Sequence, residues 1–153
     1  MSPLLFLLAL QTPAAKPAEQ SKLTSLSASI GPIGALPELK GAKIISRSGY
    51  TIPGTNKVGR VFRYSIRADF DAFMKLLKKN RPAKAGWVMT EDSKDNVMYD
   101  LPKIAKGKLA AQTFIVQRAR IVPDPKGRVG IRVIPAAQAP GWIWISYNEH
   151  VRK

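Results

Sequence analysis

The residues of this chain whose chemistry stands out are arginines placed in strand-like segments. Six of the ten arginines alternate with apolar residues in segments that read as β-strands. Because successive side chains of a strand point to opposite faces, these guanidinium groups are expected to project together from one side of a sheet. A guanidinium donates paired hydrogen bonds to phosphate or carboxylate oxygens. The pattern predicts an anion-binding surface formed by Arg63, Arg67, Arg118, Arg120, Arg128 and Arg132.

Two tryptophans, Trp142 and Trp144, alternate in the last strand-like segment. Pairing the C-terminal segments as a meander places both indoles on the arginine face, with Arg118 opposite Arg132. A guanidinium over an indole gains about 0.5 to 1 kcal/mol at exposed sites, and arginine with aromatic rings is a combination that holds polyanions. The predicted ligand-binding set is Arg118, Arg120, Arg128, Arg132, Trp142, Trp144, Arg63 and Arg67. The alternative is a solvated face without a ligand, with its tryptophans packed beneath a loop or beneath the N-terminal tether.

Catalytic residues are not evident in the sequence. The chain has no cysteine, and its one histidine, His150, lies near the C-terminus. Serines do not occur in a Gly-x-Ser-x-Gly turn, and no His, Asp and Glu set has metal-ligand spacing. Asp69 and Asp71 are better explained as the start of a helix, where negative charge suits the dipole. We expect a protein that is not an enzyme and that binds no cofactor and no metal.

Composition favours one basic domain with an anionic partner. The chain has 153 residues, and 25 Lys and Arg against 10 Asp and Glu give a net charge of +15. This length holds one hydrophobic core. An excess of positive charge favours anionic partners such as polymers, lipid headgroups, acidic protein surfaces or nucleic acid.

The N-terminus resembles a secretory signal. An apolar run of leucines, alanine and phenylalanine over residues 4–10 is followed by small residues at 12–15. No positive charge precedes the run, and it is too short to span a bilayer, which takes about 20 apolar residues. We predict a signal peptide at residues 1–15, a flexible tether at 16–40 and a single domain at 41–153. A hydrophobic N-terminus that is disordered or docked on the protein is the alternative.

Periodicity predicts an α+β fold. Residues 60–67 alternate as a half-buried strand, and Asp69 precedes a stripe of Phe70, Phe73, Met74 and Leu77 at helical spacing. Three β-rich segments, at residues 112–122, 128–134 and 142–148, are separated by turn sequences. We therefore predict one main helix at about 69–80, packed on one face of an antiparallel sheet of four to six strands that ends in a three-strand C-terminal meander.

A strand, a short helix with an aromatic stripe and a Gly-Trp strand follow one another over residues 60–90. Phe62 to Ile66, then Phe70, Phe73 and Leu77, then Gly86 and Trp87 carry this pattern. It resembles small exported bacterial α+β domains, many of them of unknown function. The resemblance implies the fold and export, and it supplies no catalytic residue.

Together these features predict an exported domain, secreted or in the periplasm or cell envelope, that binds an anionic envelope surface or polymer. The partner would be phospholipid headgroups, lipopolysaccharide, an acidic polysaccharide or an acidic protein. If residues 1–15 are not a signal, a cytoplasmic protein that binds nucleic acid or serves an assembly is the alternative. A structural domain with no ligand on its sheet face is the second alternative.

Overall fold

The computed structural model describes Pro32 and residues 36–126 and 130–153. The predicted signal peptide, most of the predicted tether and Arg128 lie outside the described residues. Within the described part, no helix is both long and apolar enough to cross a bilayer.

The predicted α+β class is confirmed, with one α-helix and two antiparallel sheets in the described residues. The six-stranded sheet has the order β1-β2-β8-β5-β4-β3, and β6 pairs with β7 in a separate two-stranded ribbon. The elements are β1 (Lys43–Thr51), β2 (Lys57–Arg67), α1 (Phe70–Asn80), β3 (Val88–Asp92), β4 (Asn96–Leu101), β5 (Leu109–Gln117), β6 (Ala119–Pro123), β7 (Ile131–Pro135) and β8 (Trp142–Arg152).

The long strands β2 and β8 pair along their whole length, from Lys57 opposite Arg152 to Arg67 opposite Trp142. Partnered residues point to the same face, so the alternation of both strands sorts their side chains into two sets. The core face carries Phe62, Tyr64, Ile143, Ile145 and Tyr147, all of them buried. The Arg/Trp face carries Arg63, Ser65, Arg67, Trp142 and Trp144.

Helix α1 begins where the sequence predicts. The side chain of Asp69 accepts a hydrogen bond of 2.8 Å from the backbone N–H of Ala72, which caps the first turn. The predicted stripe of Phe70, Phe73, Met74 and Leu77 is buried in one hydrophobic cluster with residues of the core face. The helix therefore contributes its apolar stripe to the core.

The last residues of the predicted tether, 36–40, have a definite place in the fold. Pro37–Leu39 form a 3-10 helix, and Leu39 is buried in the hydrophobic cluster. The buried carboxylate of Glu38 accepts a hydrogen bond of 2.6 Å from Nε of Arg81, just after α1. This segment thus packs on the core, and Lys40 lies close to the start of β1.

The predicted C-terminal meander is wrong. Strand β7 pairs with β6 and not with β8, which instead lies between β2 and β5. Ile121 is opposite Val133 and Val122 is opposite Arg132, so Arg118 does not face Arg132. The predicted segment 112–122 is divided at Arg118, where the chain leaves the main sheet. Ala119 and Ile121 are buried, but they lie outside the cluster that includes α1.

A buried ion pair joins β2 to β8 on the side of the core face. Arg60 and Glu149 are register partners, and both are buried. Nε of Arg60 lies 2.6 Å from Oε1 of Glu149, and a second guanidinium nitrogen contacts the same oxygen. The Tyr147 hydroxyl donates to Oε2 of Glu149 at 2.8 Å and accepts from the Gln112 amide at 2.6 Å. Burial and the nearby Glu149 carboxylate raise the pKa of Tyr147.

Replacing Glu149 with glutamine should destabilise the protein strongly, because it leaves the buried Arg60 charge without its carboxylate. We expect a loss of about 3 kcal/mol in the free energy of unfolding, measured by urea denaturation. Asp71→Asn is the control, since it breaks the exposed Arg118–Asp71 pair and should cost less than about 1 kcal/mol. Equal losses in the two variants would contradict the prediction.

Candidate functional site

The β6–β7 ribbon lies against the Arg/Trp face at its β1–β2–β8 side. Strand β6 contacts β8, β2 and β1. Ile121 of β6 is 1% exposed, and it lines a cavity together with residues of β1, β2 and β8. The ribbon therefore covers part of a face that would otherwise be open, and cavities form between the two sheets.

The first cavity has a volume of about 430 Å³ and a basic wall. Four cationic side chains line it, and none of its described lining residues is acidic. Isoleucines and Val122 form most of the remaining wall. The named polar residues of the first cavity are Lys40, Lys43, Ser65, Arg67, Arg120 and Trp142.

Ser65 gives the first cavity an unused hydrogen-bonding group. The residue is 4% exposed, and its Oγ has no hydrogen-bond partner among the described residues. A buried hydroxyl without a partner costs about 1 to 3 kcal/mol, so its place in the cavity wall calls for a physical explanation. A hydroxyl can donate to the oxygen of an anion. Cations and a hydroxyl in one cavity are the groups that an oxyanion requires.

Arg120 and Trp142 form the aromatic part of this site. The guanidinium carbon of Arg120 lies 4.4 Å from the centroid of the Trp142 ring. This stacking fixes the direction of the guanidinium while leaving its edge able to donate hydrogen bonds. Arg67, Arg120 and Trp142 of the predicted set are thus brought together at one cavity.

Two more residues of the predicted set, Arg63 and Trp144, line a second cavity of about 340 Å³ on the same face. Its wall also includes Ser46, Arg47 and Ser48 of β1 and Ile131 of β7. Burial lowers the pKa of Arg63 from its ordinary value.

The structure places the other predicted arginines elsewhere. Arg118 lies at the start of α1, where its guanidinium is 3.1 Å from Oδ1 of Asp71 and 4.2 Å from the centroid of the Phe70 ring. Its Nε donates to the backbone oxygen of Lys94 at 3.0 Å. Arg132 is exposed on β7, and Arg128 lies outside the described residues. The predicted grouping of Arg118 with Arg132 on one face is therefore wrong.

Three polar residues of the first cavity, Lys40, Lys43 and Ser65, were not in the predicted set. Ser65 could have been found, because it alternates with Arg63 and Arg67 on the same face of β2. Lys43 is the first residue of β1 and lies opposite Ser65 of β2. The alternation of side chains within a strand does not predict which residue of another strand lies opposite. Lys40 lies in a segment without periodicity, so the sequence carried no signal for it.

The far end of the Arg/Trp face holds a histidine contact. The ring of Tyr50 lies over Gly59, where an added Cβ would be 2.0 Å from the ring. The Tyr50 hydroxyl reaches across β2 and lies 3.0 Å from Nε2 of His150 on β8. Burial lowers the pKa of His150, and the charge of Lys57 lowers it further.

No protein family, curated protein or solved structure matches this chain. Within residues 36–126 and 130–153, no group of three or more His, Asp or Glu side chains is placed to hold a metal ion.

His150 should titrate below its ordinary pKa of 6.5 in the folded protein. Because the folded-state pKa is lowered, acidification protonates the unfolded chain first, and stability should fall as the pH decreases below 6.5 towards the folded pKa. The single histidine resonance in an NMR titration, with urea denaturation at each pH, measures both effects.

Lys57→Gln is the matched variant for this titration. It should raise the pKa of His150 only in part, because burial is the larger cause. In a His150→Gln variant, the loss of stability that protonation of His150 causes at low pH should be absent. A folded pKa at or above 6.5 would contradict the prediction.

Proposed function

We propose that this chain is a non-catalytic binding domain that holds an oxyanion group of an anionic envelope surface or polymer in the first cavity. The observation that supports this most directly is the composition of the cavity wall. Lys40, Lys43, Arg67 and Arg120 meet there without a carboxylate among the described lining residues, and the unpartnered Ser65 hydroxyl is buried in the same wall. A phosphate, sulfate or carboxylate would neutralise the cations and accept from that hydroxyl.

A solvated face without a ligand accounts less well for this arrangement. Arginines on such a face would cover apolar surface with their stems and hold their charges in water. That account fits the exposed residues Lys40, Lys43, Arg67 and Arg132. It does not explain a buried hydroxyl without a partner at Ser65. It also does not explain why cations from the N-terminal segment, β1, β2 and β6 line one cavity.

The partner class follows from the charge and from the N-terminal sequence. A leader-like run at residues 4–10 supports export to the envelope, where phospholipid headgroups, lipopolysaccharide, acidic polysaccharides and acidic proteins present oxyanions. The net charge of +15 also favours a second candidate, nucleic acid, for a chain that stays in the cytoplasm.

N-terminal sequencing of the mature native protein separates these two locations. Export predicts a mature chain that begins near residue 16, because the small residues at 12–15 resemble a cleavage site. A native chain that keeps residues 1–15 would contradict the export proposal and favour nucleic acid as the partner.

Replacing Arg67 and Arg120 with glutamine should weaken binding to heparin, because it removes two guanidinium groups from the first cavity. We expect the dissociation constant to rise at least about tenfold, since a hydrogen bond to a charged group contributes about 1.5 to 3 kcal/mol. Isothermal titration calorimetry at several salt concentrations measures this change, and binding should weaken as salt rises.

The double variant Arg118→Gln with Arg132→Gln is the matched control. It removes the same charge from residues outside the first cavity, so it should retain most of the affinity. Thermal denaturation should show that both double variants stay folded. Equal loss of affinity in the two would mean that only net charge matters, and it would overturn the proposed site.

A further inference from the structure

The second cavity contains two buried hydrogen-bond donors that have no partner. Oγ of Ser46 and Nε1 of Trp144 are both buried, and neither has a hydrogen-bond partner among the described residues. An indole N–H can only donate, so it requires an acceptor atom. Both residues line the same cavity. Two unused donors in one cavity indicate a ligand that presents acceptor oxygens.

Arg63 adds a positive charge to these donors. Its side chain is half-buried, and within the described part of the chain it takes part in no hydrogen bond or ion pair. Loss of solvent around a guanidinium is unfavourable unless an anion or acceptor replaces the water. The carboxylate of Asp124 is near the Gly130 end of this cavity, where its Oδ1 accepts from the backbone N–H of Lys126. Because Arg63, Ser46 and Trp144 line the same cavity, an oxyanion bound in it would meet a guanidinium, a hydroxyl and an indole N–H.

The two cavities lie in sequence along β2 and β8. Arg67 and Trp142 line the first, and Arg63 and Trp144 line the second. At about 3.3 Å per residue, the two arginines are about 13 Å apart along β2 and the two tryptophans about 7 Å apart along β8. A ligand that fills both cavities would carry oxyanion groups at a separation within this range.

We propose that the second cavity is a further oxyanion subsite, and that the ligand is a linear acidic polysaccharide with at least two oxyanion groups. This inference rests on the proposed function of the first cavity. The second cavity lies between the main sheet and the β6–β7 ribbon, where a narrow chain can enter and a flat lipid surface cannot. Single-stranded nucleic acid gains affinity by stacking bases on aromatic rings. Arg120 already stacks on Trp142, so that ring face is not open to a base.

The test uses heparin-derived oligosaccharides of increasing length with two double variants. Ser46→Ala with Trp144→Phe removes both donors of the second cavity without changing the net charge. Arg67→Gln with Arg120→Gln alters the first cavity. In the wild-type protein, affinity should rise once the oligosaccharide is long enough to occupy both cavities. The Ser46 and Trp144 double variant should bind the long oligosaccharide about tenfold more weakly than the wild-type protein does. Its affinity for the shortest oligosaccharide should be unchanged.

Indole N–H resonances of the wild-type protein give a second measurement that does not depend on a variant. The chain has three tryptophans, and a spectrum of the Trp144→Phe protein assigns the Trp144 signal. The long oligosaccharide should shift this resonance, because the N–H gains an acceptor, whereas the shortest one should not.

The outcomes separate the subsite from the proposed function. An unchanged length dependence in the Ser46 and Trp144 variant, with an unshifted Trp144 resonance, would overturn the second subsite. The first site would still stand if the Arg67 and Arg120 variant loses affinity. If the wild-type protein binds no oligosaccharide, the proposed function itself fails. Tighter binding of single-stranded DNA of similar length, with the same shift of Trp144, would overturn the polysaccharide assignment.

Discussion

The pairing of β2 with β8 is the constraint on which the rest of the structure depends. A slip of one residue in this pairing would move every side chain of one strand to the opposite face. Arg60 and Glu149 oppose this slip, because they are register partners that bond to each other while buried on the core side. In a slipped register both charges would lose their partner, and a buried unpaired charge is strongly unfavourable. The ion pair therefore helps to hold the hydrophobic cluster on one face and the arginines and tryptophans on the other.

The cavities arise because the chain leaves the main sheet at Arg118. Strand β5 ends at Gln117, the last residue that pairs with β8, while the backbone N–H of Arg118 still donates to the oxygen of Asp95 beside β4. Strands β6 and β7 then fold back as a ribbon whose buried residue Ile121 lies among residues of the opposite sheet. Two sheets that met over continuous apolar surfaces would form a second core. Here arginine, lysine and serine side chains lie at the contact, so space is left between the sheets.

Local patterns predicted the parts of the fold that depend on neighbouring residues. The Asp69 cap and the Phe70 to Leu77 stripe were read from helical spacing and are confirmed. The alternation of Arg63 with Arg67, and of Trp142 with Trp144, placed each pair correctly on one face. The choice of strand partners depends on residues that are far apart in the sequence. Segment 131–135 is compatible with β6 or β8, and β8 pairs with β2 and β5, which are far away in sequence. The meander failed for this reason, and the first cavity, which needs β1 and β6 beside β2, could not be foreseen.

The carboxylates of the described residues do not line either cavity. Glu149 is paired with Arg60, Glu38 with Arg81 and Asp71 with Arg118, and these pairs lie in the core side of the sheet or around α1. Acidic residues Glu91 and Asp92 lie in β3, at the opposite edge of the sheet from β1. The lining residues of both cavities, as far as the structure describes them, include no carboxylate. The carboxylates of these three pairs and of β3 therefore do not neutralise Lys43, Arg67 and Arg120 at the first cavity.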